Sequence, residues 1–412
     1  MWGKFFKALV LMGFSFGIYI GCSEVNFEEG IGPVCSKFRG DNDAKTSCLY
    51  KDAEGNEDGY EDLTYPTKIL RRLDLLFVID NSGSMYEDQQ NIARNFDRFI
   101  REITNSDANV SYQIGIITAD VSGDKHRAGT LMPFEGSGRS IISNDPNNPY
   151  YARDAVTLFK NTIKRKETLE CETSGFDPEK CTSKYESGIA AVNAFLNRGN
   201  SSFFRSNSRF SIIIVSDEDE NSRGEKLKEN NLPETLSSKV FLRFGASKSF
   251  SVNAIAVVPG DLACLDKQNE RCGKFYKKNP STLEWNECTI KEIINKKCHK
   301  YTCANYANTY AKLVSPSDDI IGDSGMVSGV MGNICKGATD YNGHLGRIAR
   351  EIKTHQNKLQ LHCAPINDAI TVELPRSLRH ISYSKSGRIL IFSQVLPKGT
   401  IVKLKYKCLR SI

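Results

Sequence analysis

The chain has 412 residues, 40% of them hydrophobic and 25% charged, with a net charge of +6. That composition admits the core of a globular protein longer than one typical domain. The positive excess, spread over this length, is too mild to argue for a nucleic-acid partner. Thirteen cysteines point to an oxidising compartment such as a bacterial periplasm or cell surface.

Taken in chain order, Lys4 and Lys7 precede an apolar segment from Ala8 to Ile20, and Gly21-Cys22-Ser23 follows directly. A bilayer span needs roughly 20 apolar residues, so this shorter segment predicts a cleaved export signal over residues 1–21. Tyr19-Ile20-Gly21-Cys22 resembles the lipobox of bacterial lipoproteins, with tyrosine where leucine is usual. The resemblance implies that Cys22 is the lipid-attachment residue and that the protein is anchored in the cell envelope, at the outer membrane on its periplasmic or surface face. The bland alternative is an ordinary secretory signal with Cys22 unmodified. Residues 22–69 are polar, with an acidic run from Glu54 to Asp62, and read as a tether.

From residue 70 short apolar strands alternate with helical spacing, which predicts α/β architecture: a doubly wound, mostly parallel sheet with helices on both faces. Strands are expected at 74–80, 112–119, 210–216, 251–258 and 329–335, with a short edge strand at 130–134. Ile92, Phe96, Phe99, Ile100 and Ile103 follow helical spacing. Further helices are expected over 184–196, around Tyr306, Tyr310 and Leu313, and around Leu345, Ile348 and Ile352. This domain covers 70–356, interrupted by a cysteine-rich insertion at 259–303. Residues 360–412 alternate with period two and predict a small C-terminal antiparallel β unit.

Lipidation of Cys22 leaves an even number of cysteines for disulfides. Spacing suggests Cys35 with Cys48, Cys171 with Cys181, and Cys363 with Cys408, although connectivity is not fixed by sequence. Zinc bound by Cys264, Cys272, Cys288, Cys298, Cys303 and His299 is the alternative, weakened by the lack of any C-x-x-C pair.

The most specific signal is Asp80-Asn81-Ser82-Gly83-Ser84 at the end of the apolar run Leu75 to Ile79. Ligand sites of open α/β sheets lie beyond the carboxyl ends of such strands. One carboxylate and two hydroxyls at alternate positions can converge there, and oxygen donors of this kind suit magnesium. A Ser/Gly turn in which Asp80 caps the next helix is the plain alternative. The pattern resembles the metal-ion-dependent adhesion site of von Willebrand factor type A domains. That resemblance implies a threonine from a second loop and an acid after a later strand. Ile212 to Ser216 followed by Asp217 matches the later strand, though Glu218, Asp219 and Glu220 leave open which carboxylate faces the ion. Thr182 is the candidate threonine, ahead of Ser183 and Thr173.

The expected site is therefore Asp80, Ser82, Ser84, Thr182 and Asp217 around Mg2+, with Mn2+ or Ca2+ as related alternatives. Such an ion, short of negative charge, accepts an acidic oxygen from a protein or glycan partner, in adhesion or envelope assembly. Two other readings stand beside it. A metal-assisted hydrolase would need a general base, for which His126, Glu218 and Asp219 are candidates. A scaffold would use the metal only to rigidify the loop.

Overall fold

The structure is a computed structural model. It describes residues 34–40, 43–51, 57–69, 71–104, 110–121, 128–174, 181, 186–205, 208–221, 230–244, 248–272, 275–278, 285–287, 299–300, 304–321, 326–335, 338–354, 357–361, 365–387 and 389–409. The expected export signal and Cys22 lie outside these residues, as does Cys363.

The polar segment read as a tether holds three strands: β1 (Val34–Gly40), β2 (Asp43–Lys51) and β3 (Glu57–Lys68). They form one antiparallel sheet with two strands from the far end of the chain. Composition does not show this, because β3 pairs with a strand from the far end of the chain. The long C-terminal strand pairs with β3 along its whole length, and its Val402, Leu404 and Tyr406 are buried. Cys35 and Cys48 occupy directly paired positions of β1 and β2.

The central sheet is built from β4 (Arg72–Ile79), β5 (Ser111–Thr118), β6 (Ile142–Ser143), β7 (Ser208–Val215) and β8 (Phe250–Ala256). The insertion then contributes the helix Leu262–Cys272 and a small sheet of β9 (Phe275–Lys278), β10 (Trp285–Glu287) and β11 (His299–Lys300). Two short strands, β12 (Met326–Val327) and β13 (Met331–Asn333), complete the central sheet against β8. The order is β12-β8-β7-β4-β5-β6, parallel except at β6. This is a mixed α/β architecture with a mostly parallel central sheet flanked by helices, compatible with a Rossmann-like arrangement.

Alternation along β4 explains the two flanking cores. Leu75, Phe77 and Ile79 pack with α1 (Tyr86–Thr104) and the closing helix Ala338–Thr354. Leu76 and Val78 face the other way, against α4 (Gly188–Asn197) and the helix Pro233–Phe244. Between the first and fourth of these helices lie α2 (Ala155–Thr162) and α3 (Lys166–Thr173). Phe77, Phe96 and Phe159 meet in one aromatic cluster, Phe96 stacked on Phe159 and Phe77 edge-on to both. Each such buried ring contributes about 2–3 kcal/mol, so the strand that leads to Asp80 is firmly held.

The expected edge strand at 130–134 is not a strand; Ile142–Ser143 takes that place beside β5. Met132 donates one backbone hydrogen bond to Ile116, and Pro133, with no N–H, cannot continue a ladder.

The C-terminal unit comprises β14 (Lys358–Gln360), β15 (Ile370–Glu373), β16 (Tyr383–Ser386), β17 (Ile389–Phe392) and β18 (Ile401–Leu409). Leu361, Leu390, Phe392 and Leu396 join the buried face of β18 in a third, smaller core. Fifty residues make a small core, and this unit enlarges it by recruiting β3.

Two disulfides are present among the described residues. Cys171–Cys181 is the expected local pair. Cys264–Cys335, bridging 71 residues, removes Cys264 from the alternative zinc set. Spacing gave no hint of it, because the partners meet only when β8 and β13 pair.

Candidate metal centre

The apolar run of β4 ends at Asp80, whose backbone N–H still donates to Val215 at the end of β7 (3.0 Å). The chain then turns away from the sheet into a short helical turn over Gly83–Met85 and on into α1. Buried Met85 anchors that turn. Asp80 is fully buried, and its two carboxylate oxygens are held separately. Ser82 N–H donates to Oδ1 at 2.8 Å, and the Ser216 hydroxyl donates to Oδ2 at 2.7 Å. Ser82 Oγ and Ser84 Oγ lie 3.0 Å apart. The structure therefore gathers Asp80, Ser82 and Ser84 at the carboxyl end of the sheet, where the sequence placed them.

Asp217 follows β7 and is likewise fully buried. Its Oδ1 and Oδ2 have no hydrogen-bond partner, a costly condition for a buried carboxylate. Burial first, then the charges of Asp80 and Glu218, push its pKa well above the usual range, against a lowering from the nearby Ser84 hydroxyl. Asp80 is raised too, by burial, with its hydrogen bonds opposing.

The acidic run after Asp217 sorts itself by partner. Asp219 caps the helix Asn308–Val314, accepting from Thr309 N (3.0 Å) and Thr309 Oγ1 (2.8 Å). Glu220 caps α4, accepting from Ile189 N at 2.6 Å. Both sit at helix N-termini, where carboxylates are favoured. Asp219, one candidate base of the hydrolase reading, is thus committed to capping. Asp217 is the member of the run left with bare oxygens.

The sequence reading missed Glu186. It lies just before α4, 3% exposed, bridged through the backbone to Asp120. Its pKa is raised well above the ordinary value by burial, by Asp80 and by Glu218, with which its carboxyl shares a hydrogen bond. Glu186 thus adds a further buried acid beside Asp80 and Asp217, one that burial and its acidic neighbours bias toward the protonated form.

The donor set fits a hard divalent cation. Among the described residues no group of three or more His, Cys, Asp or Glu side chains is gathered as a ready ligand set. What does gather is a pair of carboxylates and a pair of hydroxyls, with no hydrogen-bond partner on either oxygen of Asp217. Oxygen-only donors of this number suit a magnesium-like ion that keeps part of its water.

Thr182, Ser183 and His126 lie outside the described residues. Thr173 is exposed near the end of α3, and its hydroxyl donates to Leu169 O at 2.8 Å. Thr168 of the same helix does reach the loop, donating to Asn81 O at 2.9 Å. Nothing in its local sequence marked it; only the packing of α3 brings it there.

No protein-family model matches the sequence, and no curated protein matches it. Among solved structures the chain is similar to the pilus adhesin SpaC from Lactobacillus rhamnosus GG. That likeness has 12% identity and a TM-score of 0.30 over 90% of this chain and 44% of that one. It is also similar to proximal thread matrix protein 1 of the mussel byssus, with 11% identity and a TM-score of 0.27 over 63% and 49%. For the human COPII-coat protein Sec24c the values are 8% and 0.33, over 87% and 47%. The chain spans about half or less of the length of each. Likenesses this remote carry no argument about function.

Proposed function

We propose that this chain is a binding protein of the von Willebrand factor type A kind. In this reading it is lipid-anchored through Cys22 in a bacterial cell envelope and captures a protein or glycan partner through a divalent cation. The observation that carries the reading is Asp217, buried beside Asp80 with both oxygens unpartnered. Asp80, Ser82, Ser84 and Asp217 would hold magnesium, directly or through water, with Thr182 as the further candidate from the second loop. When bound, the ion supplies a positive centre for an acidic oxygen of the partner.

The chain's own residues prepare that centre. Ser216 and the Ser82 N–H fix both oxygens of Asp80, so the carboxylate does not rotate to meet the ion. Asp219 and Glu220 hold two helix starts around the acid loop. One metal contact gives modest affinity, so surrounding loops would have to complete an interface of roughly 1,200 Å² or more.

Among the described residues no helix is long and apolar enough to cross a membrane. The test is capture from envelope extract by the purified chain in Mg2+ and in chelator, alongside Asp80→Ala. The expected result is a partner retained only by the wild type in Mg2+. Capture that ignores both chelator and substitution would overturn the reading.

A further inference from the structure

We propose that α3 is a brace that presets the metal loop, with Thr168 and Gln89 as its positioning residues; the inference rests on the binding role proposed above for that loop. Beyond the end of β4 the loop carbonyls have left the sheet, and buried carbonyls need donors. Two consecutive ones are supplied by side chains. Gln89 Nε2 donates to Asp80 O at 2.9 Å, and Thr168 Oγ1 donates to Asn81 O at 2.9 Å.

These two side chains also hold each other. Gln89 Nε2 spends its second hydrogen on Thr168 Oγ1 at 2.9 Å, and Gln89 Oε1 accepts from Arg165 N, also at 2.9 Å. The amide is therefore saturated, with its orientation fixed from both sides. Gln89 is 1% exposed and Thr168 fully buried, so water cannot replace either partner. Networks of this kind, satisfied throughout, rigidify what they touch.

The helix that carries Thr168 has little else to hold it. It is eight residues long, far below the length that is stable alone, and buries only Thr168 and Cys171. These lie three apart, on one helical face. Cys171 is pinned by the disulfide to Cys181, and Arg165 closes the start of the helix by pairing with Glu167 at 2.7 Å. A helix docked by one hydroxyl, one disulfide, the Arg165 N–H to Gln89 and an exposed Lys166–Glu135 ion pair is poorly suited to filling a core. It is well suited to fixing a loop, and the loop it fixes carries Asp80, Ser82 and Ser84.

The experiment is calorimetric titration of the full chain with Mg2+ and with Ca2+, accompanied by melting curves in chelator. Thr168→Val keeps the shape and removes the hydroxyl; it is expected to weaken Mg2+ binding about tenfold, the scale of losing an outer partner of a metal ligand. Thr168→Ser should recover most of that loss. Gln89→Met provides a second, independent variant with the same expected direction. A loosened loop should also narrow the preference for Mg2+ over Ca2+, because the larger ion tolerates irregular geometry. The Cys171→Ser/Cys181→Ser double variant should weaken Mg2+ binding severalfold. Wild-type uptake of Mg2+ with unchanged affinity and selectivity in Thr168→Val and Gln89→Met would overturn the brace alone. A wild-type chain that takes up no Mg2+ would overturn the binding reading, and the brace with it.

Discussion

One fully buried aspartate stands near the start of β4 and another just beyond its end, and the two are treated in opposite ways. Near its start, Asp74 is neutralised from within. Arg205 pairs with its Oδ1 at 2.7 Å, Lys248 lies 3.4 Å from its Oδ2, and Ser208 donates a short hydrogen bond. Arg205 also binds Leu73 O, Ser111 O and Ser111 Oγ, which closes the network. Just beyond the other end, Asp80 meets serines and more acid. Neither it nor Asp217 has a cationic partner among the described residues, and the charges acting on Asp217 are those of other carboxylates. The same fold thus shows that it can balance a buried carboxylate with its own side chains. Asp80 and Asp217 have no such counter-charge among the described residues, and the proposed cation would supply one.

This contrast can be broken from either end. The largest effect on stability is expected at Asp74. Asp74→Ala strands Arg205 and Lys248 without their counter-charge and should cost about 3–5 kcal/mol, lowering the melting temperature by about 10 °C. Its Mg2+ affinity, measured by calorimetry, should stay near that of the wild type. At Asp217 the pattern inverts. Asp217→Asn should abolish Mg2+ binding, yet in chelator it should melt higher than the wild type, because it removes a buried charge that has no partner.

The pH dependence sharpens the same point. Asp217 and Glu186 have folded-state pKa values raised well above their ordinary 3.8 and 4.5. From about pH 4 upward the folded form therefore holds more protons than the unfolded one, and the stability of metal-free protein falls as pH rises through the raised values. Excess Mg2+ should reverse that slope, since the ion competes with the protons. Parallel melting curves with and without Mg2+ across pH 4–8 would check both signs. The smallest effect is expected for Asp219→Ala, which loses a helix cap worth about 1 kcal/mol. Its Mg2+ affinity should be unchanged; a large loss would mean that Asp219, rather than Asp217, serves the ion.

The legibility of the sequence followed the range of the interactions. Asp80, Ser82 and Ser84 lie within five residues, so a local pattern exposed them, and an apolar strand announced Asp217. The run Asp217 to Glu220 could not be sorted from sequence, because its caps go to helices that begin at Gly188 and Asn308. Glu186 and Thr168 were invisible for the same reason: tertiary packing alone brings them to the loop. The strands within the polar segment read as a tether were not legible, because β3 pairs with β18, more than 300 residues away. Charge patterning gave no sign of the network around Asp74, since Arg205 and Lys248 come from two separate loops.

The central claim is that a cation sits between Asp80 and Asp217. Crystals grown with Mn2+ and measured at the manganese absorption edge test it directly. The account predicts one strong anomalous peak about 2.0–2.3 Å from oxygens of this loop cluster. A loop cluster filled by solvent alone, with no anomalous signal, would contradict it.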